Sequence, residues 1–279
     1  MQNLRRESIL LCPRNDEESL MILKIADKLG LSVLESLQPH GARLEKEDDL
    51  VSRLQETNPD SMKLVIVEIP GPNMEKELEK LGYEIVVIDH HTYDDLDRMN
   101  QKSSIEQFLE LYEVDDMLLK ALGFDPQMVE AVGAIDRGFL WELETLGWNE
   151  ALKAKGRKFY RSLTLELGPE RRKKEEEAAR AAWENREEKD GYLVVRSQGD
   201  DVSVRDALSF IVADEIGKPT SMIVTQGTRR VYVQETDETD KLKKVFGGFT
   251  FGRNRCWGIL KDDGDLPSVE EVLKVLKGK

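Results

Sequence analysis

Two of the three histidines in the chain are adjacent, in the tripeptide Asp89-His90-His91. The tripeptide directly follows the apolar run EIVVI, a pattern typical of a buried strand. In parallel α/β sheets, ligands and catalytic groups lie beyond the carboxyl ends of the strands. An aspartate and two imidazoles at such an edge can bind a metal ion or transfer protons, so their position favours a functional site over an ordinary exposed turn.

Acidic residues at other strand ends could join these histidines. Glu68 closes the apolar run LVIV, Cys12 ends the run SILLC, and Asp16 and Glu18 follow Cys12 at spacings of four and six. Asp136 comes after a predicted helix. Oxygen ligands favour Mg²⁺ or Mn²⁺, and an imidazole permits Mn²⁺, Zn²⁺ or Fe²⁺. The set therefore predicts a site for one or two divalent cations.

The elements that would position these residues alternate along the first half of the chain. Apolar runs without polar alternation predict strands over residues 8–12, 31–34, 63–69 and 84–88. Helical patterns cover residues 17–29, 45–55, 74–81, 104–112, 114–123 and 126–134. This order predicts an α/β fold whose N-terminal domain is a parallel sheet covered by helices on both faces.

The composition changes near Trp148. The stretch ERRKKEEE at residues 170–177 predicts a long exposed helix supported by i,i+4 ion pairs. A smaller α/β pattern follows, with strands over 192–196, 221–225, 231–234 and 256–260 and helices over 204–216, 240–246 and from about 268. The predicted domains are therefore residues 1–148, a charged helical connector over 149–190, and a smaller α/β domain over 191–279.

Asp89-His90-His91 after an apolar strand resembles the signature of the DHH phosphoesterases. This family includes RecJ-type nucleases, oligoribonucleases, cyclic-dinucleotide phosphodiesterases and manganese pyrophosphatases. Its first motif is His-x-x-x-Asp-x-Asp, which Cys12-Pro-Arg-Asn-Asp16-Glu-Glu18 matches in spacing. Its second motif is an aspartate that ends a buried strand, and Glu68 stands there. The chain thus departs from the family at Cys12, Glu18 and Glu68.

The resemblance extends over nearly the whole chain in element order. Ser103-Ser104-Ile-Glu106 resembles the serine-rich helix start that follows the DHH motif, and Asp136 falls at the expected fourth-motif aspartate. The C-terminal part resembles the family's DHHA1-like substrate-binding domain. Its glycine-rich hallmark Gly-Gly-Gly-His is replaced here by Phe246-Gly247-Gly248-Phe249, so the loop histidine is absent.

The resemblance implies a role for each matching residue of the metal site. The implied ligands are Cys12, Asp16, Glu18, Glu68, His90 and Asp136. His90, Asp136 and Glu18 would bind one ion, Asp16 and Cys12 a second, and Glu68 would bridge the two. Manganese is the preferred ion, with Mg²⁺, Zn²⁺ and Fe²⁺ as alternatives. Each Asp-to-Glu change lengthens a ligand by one methylene, and a thiol at position 12 would bias a site towards Zn²⁺ or Fe²⁺.

Substrate contacts are expected from the second histidine and from basic residues. The resemblance also implies that His91 faces the substrate phosphate and that Asp89 orients a neighbouring side chain. Arginine forks match phosphate geometry, and backbone N–H groups of a glycine loop can add to them. The predicted phosphate-binding residues are Arg137, Gly247, Gly248, Arg253 and Arg255.

The composition limits the partners. The chain has 41 basic and 55 acidic residues, a formal charge of −14, which argues against duplex DNA and anionic membranes as partners. No window is apolar enough for a membrane span, no secretory signal is visible, and two cysteines make no disulfide framework, so a cytoplasmic location is expected. An exposed apolar sheet edge could make a homodimer.

Two functions fit these observations. The first is a metal-dependent phosphoesterase that acts on a nucleotide or short oligonucleotide. The second is a degenerate relative that keeps the fold as a nucleotide sensor or interaction scaffold, as the departures in three motifs would allow. Carboxylates at all four matching acid positions favour the hydrolase: Asp16, Glu18, Glu68 and Asp136. The substrate, which could be pyrophosphate, a nucleoside bisphosphate, a cyclic dinucleotide or short RNA, stays open.

Overall fold

The structure is a computed structural model that describes residues 8–93, 96–261 and 265–278. It divides the chain into two compact units. The first unit comprises the chain up to Arg137 together with Trp148–Leu167, and the second comprises Gly138–Gly147 and the chain from Gly168 onward.

The first unit is built on a four-stranded parallel sheet in the order β2-β1-β3-β4. Its strands are β1 (Ser8–Pro13), β2 (Ser32–Ser36), β3 (Lys63–Val67) and β4 (Glu84–Ile88). Every residue of β1 is buried, because the strand lies inside the sheet and both of its faces are covered. The predicted α/β fold class with a parallel N-terminal sheet is confirmed.

Helices cover both faces of this sheet. They are α1 (Glu17–Leu29), α2 (Leu50–Thr57), α3 (Pro72–Lys80), α4 (Ser104–Leu111), α5 (Asp116–Ala121), α6 (Pro126–Gly138) and α7 (Glu150–Leu167). Alternate residues of β1 enter different cores: Leu10 and Cys12 pack in the one that holds Phe108, whereas Ile9 and Leu11 pack in the other. A short 3₁₀ helix, Leu44–Lys46, precedes α2.

The second unit contains a six-stranded mixed sheet in the order β5-β6-β7-β8-β10-β9. Its strands are β5 (Glu187–Lys189), β6 (Tyr192–Ser197), β7 (Met222–Gln226), β8 (Arg230–Gln234), β9 (Phe249–Phe251) and β10 (Cys256–Leu260). Its helices are α8 (Pro169–Glu184), α9 (Arg205–Glu215), α10 (Thr239–Phe246) and α11 (Val269–Leu276), with a 3₁₀ helix over Leu140–Leu146. No helix in the described ranges is long and apolar enough to cross a membrane.

The charged stretch 149–190 is not one long exposed helix. It forms α7 and α8, separated at Gly168, and the two helices belong to different units. Each helix buries a narrow stripe that includes Leu163 in α7 and Ala179 and Trp183 in α8. Charged residues on the other faces dominate the composition of this stretch, so its sequence pattern predicts a fully exposed helix.

Asp136 lies within α6 and not in a loop after it, because the helix continues to Gly138. Gly133 does not end the helix. A Cβ atom at Gly133 would lie 2.7 Å from the hydroxyl oxygen of Ser103 and 2.9 Å from Ile105 Cγ2. Glycine at this position therefore lets α6 lie close to the N-terminus of α4, which brings Asp136 towards the strand ends.

Candidate metal centre

The carboxyl ends of three neighbouring strands carry the polar residues of the first unit. Asp89-His90-His91 follows β4, Glu68 follows β3, and Asp16 and Glu18 lie at the start of α1 after β1. The backbone N–H of Glu68 donates to the carbonyl oxygen of Ile88 at 3.0 Å, so pairing with β4 extends to this residue. Glu68 has a φ of 51°, a left-handed conformation that is uncommon outside glycine and is often found at functional sites.

Three carboxylates converge around His90, those of Glu18 and Glu68 and that of Asp136 from α6. The imidazole Nε2 lies 2.7 Å from Asp136 Oδ2, 3.3 Å from Glu68 Oε1 and 3.9 Å from Glu18 Oε2. One ligand atom from each of the four residues lies within 4.8 Å of all the others. His90 is 9% exposed, so the cluster is largely screened from bulk solvent.

The N-terminus of α4 holds two of the carboxylates. The backbone N–H groups of Ile105 and Ser104 donate to the two oxygens of Glu18 at 3.0 and 3.2 Å. The Ser104 hydroxyl donates to Glu68 Oε1 at 2.6 Å. Free N–H groups at a helix N-terminus favour negative charge, so α4 stabilises the carboxylate of Glu18 in this position.

His91 is more exposed than His90 and is oriented by Asp89. Its Nδ1 lies 3.1 Å from Asp89 Oδ1, and its backbone N–H donates to the same oxygen at 3.0 Å. The second oxygen of Asp89 accepts from the Tyr93 hydroxyl at 3.0 Å. The His91 side chain is 38% exposed, whereas that of Asp89 is 1% exposed. Asp89 is therefore a buried support for a ring that solvent and ligands can reach.

The charges of the cluster depend strongly on one another. Burial lowers the pKa of His90, but the contacts with Asp136 and Glu68 outweigh burial and raise that pKa to about 12. Burial raises the pKa of Glu68, but His90 and His91 outweigh it and bring that pKa to about 2. Burial and the neighbouring carboxylates raise the pKa of Asp16 to about 7 and also raise that of Glu18. The cluster therefore needs positive charge close to its carboxylates.

The residues present fit a divalent metal ion. His90 Nε2 and Asp136 Oδ2 are buried and, in the described part of the chain, neither atom has a hydrogen-bond partner of proper geometry. Three carboxylates and one imidazole make an oxygen-rich donor set with a single nitrogen, which suits Mn²⁺ or Mg²⁺ and permits Zn²⁺ or Fe²⁺. A bound cation would supply the positive charge that the carboxylates require.

Two of the predicted ligands lie outside this group. Asp16 Oδ1 accepts from the backbone N–H of Ser19 at 2.8 Å and from the Ser19 hydroxyl at 2.6 Å, so Asp16 caps α1. Cys12 is fully buried, and its Sγ lies 3.5 Å from the carbonyl oxygen of Pro13 and 3.8 Å from that of Ser19. Burial, followed by nearby carboxylates, raises the pKa of this thiol.

The predicted phosphate-binding arginines are paired with carboxylates. Arg253 Nη1 lies 2.9 Å from Glu142 Oε1, and Arg255 Nη2 lies 2.7 Å from Glu235 Oε2, both within the second unit. Arg137, in the first unit, donates to Glu106 Oε2.

The predicted glycine loop of the second unit joins α10 to β9. Gly247 and Gly248 have φ values of 76° and 83°, which L-residues with a side chain rarely adopt. A Cβ atom at Gly248 would also collide with the carbonyl oxygen of Gly258. Glycine at position 248 is therefore required by the local backbone packing.

Sequence reasoning assigned no role to Ser104 or Tyr93. The signal for Ser104 is the capping pattern that starts at Ser103 and includes Glu106, which marks a helix N-terminus able to face an anion. Tyr93 stands two residues after His91, and nothing in its local pattern predicts that its hydroxyl reaches Asp89.

The decisive combination is an Asp-His-His tripeptide after a parallel strand, with carboxylates from three other elements gathered around its first histidine. The chain resembles the DHH phosphoesterases. No protein-family model and no curated protein matches the chain.

Solved structures similar to this chain include RecJ from Thermus thermophilus in complex with Mn²⁺, which is 15% identical with a TM-score of 0.47 over 98% of this chain. The chain spans about half (51%) of that RecJ. An exopolyphosphatase-related protein from Bacteroides fragilis is 12% identical, with a TM-score of 0.43 over 98% of this chain and 91% of that one. The pGpG-specific phosphodiesterase PggH from Vibrio cholerae is 10% identical, with a TM-score of 0.42 over 97% of each chain.

Proposed function

We propose that this chain is a metal-dependent phosphoesterase that hydrolyses a phosphodiester or phosphoanhydride bond of a nucleotide or short oligonucleotide. The observation that carries the proposal is the convergence of Glu18, Glu68, Asp136 and His90 within 4.8 Å of one another. A buried donor set of this kind next to the partly exposed His91 provides both an ion site and a group that can contact substrate.

The residues of the centre have distinct roles in this proposal. Glu18, Glu68, His90 and Asp136 would hold a divalent ion, which when bound lowers the pKa of water and offsets the charge of phosphoryl oxygens. His91 donates a hydrogen bond to a phosphoryl oxygen or supplies a proton to the leaving group. Asp89 keeps the His91 ring in one orientation through the contact at Nδ1.

The geometry favours a hydrolase over a nucleotide sensor with a degenerate site. A site that no longer binds a metal ion gains nothing from several carboxylates held close together. Such a cluster then only destabilises the fold, because its buried like charges repel one another. Here three carboxylates are retained around one imidazole, and Ser104 and Ile105 hold two of them in place. This arrangement costs stability unless a cation compensates it.

The net charge supports the proposed substrate class. A formal charge of −14 disfavours long polyanions, whereas a small phosphate compound can be attracted by a single bound cation. Arg137, Arg253 and Arg255 are proposed phosphate contacts, and a phosphate would have to compete with the carboxylate that each arginine now contacts. Gly247 and Gly248 remain proposed backbone contacts.

The test is phosphodiesterase turnover by metal-depleted protein to which Mn²⁺, Mg²⁺, Zn²⁺ or Fe²⁺ is returned. The substrates are bis(p-nitrophenyl) phosphate, pyrophosphate, a linear dinucleotide and a short single-stranded RNA. We expect metal-dependent release of product from at least one of them. Asp136→Asn should abolish this turnover, whereas Asp60→Asn, the same change at an exposed position, should not. Folded, metal-loaded protein that turns over none of the four would overturn the proposal.

A further inference from the structure

The number of ions at the centre can be read from what each predicted ligand already contacts. Asp16 is the N-cap of α1, and its Oδ1 accepts two hydrogen bonds from Ser19. Capping by an aspartate stabilises a helix by about 1 kcal/mol, so this residue has a structural role without a metal. In the described ranges, no group of three potential ligand atoms within 4.8 Å includes Asp16.

Cys12 is arranged as a thiol. Its sulfur is buried and faces two carbonyl oxygens, those of Pro13 and Ser19. These contacts are favourable only if the S–H donates, because a thiolate would face oxygens that are also partially negative. A metal ligand must be the thiolate, so binding through Cys12 would remove the single S–H donor and leave a sulfur anion that faces two carbonyl oxygens.

Among the described residues there is one further set of potential ligands, and it overlaps with the first. Glu68, His90 and His91 also lie within 4.8 Å of one another, but Glu68 and His90 belong to the four-residue group as well. The Nδ1 of the third member, His91, is held by Asp89 at 3.1 Å. A second ion at this set would therefore share Glu68 and His90 with the first ion, which leaves His91 as its one separate ligand.

We infer that this centre binds one divalent ion per chain, through Glu18, Glu68, His90 and Asp136, and that Asp16 and Cys12 are not ligands. The inference rests on the metal site of the proposed function, and it departs from the two-ion arrangement that the family resemblance implies. The ion would be bound by oxygen and nitrogen donors only, without a thiolate.

The test counts ions and identifies donors without an activity assay. Metal-depleted protein is titrated with Mn²⁺, and free Mn²⁺ is measured by electron paramagnetic resonance. We expect one Mn²⁺ per chain in the native protein, in Asp16→Asn and in Cys12→Ser, because Asn can still cap α1 and Ser can still donate to a carbonyl oxygen. Asp136→Asn should raise the dissociation constant at least tenfold, since it replaces a charged oxygen ligand by a neutral amide.

A second measurement addresses Cys12 directly. The Co²⁺-loaded protein should show no thiolate-to-cobalt charge-transfer absorption, and Cys12→Ser should leave its spectrum unchanged. Two Mn²⁺ per chain, a spin-coupled Mn²⁺ pair, or a charge-transfer band lost in Cys12→Ser would each overturn the inference. One bound ion without hydrolysis would contradict only the proposed function. Hydrolysis with two bound ions would contradict only this inference. A protein that binds no ion would contradict both.

Discussion

The backbone N–H of Ile105 donates to Glu18 Oε1 at 3.0 Å, although the two residues are 87 positions apart in the chain. The neighbouring N–H of Ser104 donates to the other oxygen at 3.2 Å, and that oxygen also lies 3.9 Å from His90 Nε2. Glutamate at position 18 is therefore long enough to cap α4 while it faces the metal centre. An aspartate, which the related motif has, is shorter by one methylene, or about 1.5 Å of C–C bond length.

Shortening this side chain should destabilise the first unit. We expect Glu18→Asp to lower the free energy of unfolding by about 1–3 kcal/mol, because the backbone N–H groups of Ser104 and Ile105 lose their acceptor. Urea unfolding followed by circular dichroism measures the effect. Glu79→Asp, the same change at an exposed position of α3, should cost no more than a few tenths of a kcal/mol. Equal stability of Glu18→Asp and the native protein would contradict the capping role.

Removal of the Ser104 hydroxyl should weaken metal binding without unfolding the chain. The hydroxyl donates to Glu68 Oε1 at 2.6 Å and so fixes the orientation of a ligand. Loss of such a support typically costs 10- to 100-fold in metal affinity, and we expect Ser104→Ala to fall in that range. Calorimetric titration with Mn²⁺ provides the measurement, and Ser52→Ala, at an exposed position of α2, is the matched control. An affinity equal in both variants would show that Ser104 does not position Glu68.

Tyr93→Phe should slow turnover while metal affinity is kept. The change removes only the hydroxyl that donates to Asp89 Oδ2, and it leaves the aromatic ring over which the Arg43 guanidinium lies at 5.1 Å. Because Asp89 orients His91, we expect kcat to fall about tenfold with little change in the Mn²⁺ dissociation constant. The His91 Nδ1–H proton resonance should also shift. Tyr83→Phe serves as the control, and an unchanged kcat in Tyr93→Phe would exclude this positioning role.

The buried thiol of Cys256 should make the fold sensitive to alkaline pH. Burial raises its pKa from 9.0 to about 12, so between these values the unfolded chain releases a proton that the folded chain keeps. Stability from this group is therefore complete below pH 9 and falls as pH rises towards 12. At pH 10.5 the loss should be on the order of 2 kcal/mol.

Cys256→Ala isolates this contribution. The free energy of unfolding of the variant, measured in urea at pH 8 and at pH 10.5, should fall less between the two values than that of the native protein. Other buried groups titrate in the same range, so the comparison uses the difference between the two slopes. If the free energy of unfolding falls equally with pH in both proteins, the Cys256 thiol ionises as readily in the folded chain as in the unfolded chain.

Local pattern in the sequence was enough to predict the parallel sheet and to place Asp89-His90-His91 at its carboxyl edge. The uninterrupted apolar runs that became β1 and β3 predict buried strands, and both strands are buried. The run EIVVI became β4, an edge strand that is only half-buried, so burial was predicted wrongly there. Polar residues directly after all three strands lie at the carboxyl edge of the sheet. The helix boundaries of α1 also follow from local chemistry, since Asp16 caps one end and Gly30 adopts a left-handed φ of 69° at the other.

Only the tertiary structure decided which acids share the centre with His90. Asp16 and Glu18 are two residues apart and chemically alike, yet one caps its own helix and the other caps α4 beside the imidazole. Glu18 is selected because its side chain reaches the N-terminus of α4, although Ile105 is 87 positions away in the chain. Asp136 joins the centre because α6 lies close to α4 at Gly133. Local periodicity does not predict such long-range contacts, because the distance between the ends of two helices is set by how both helices pack against the sheet.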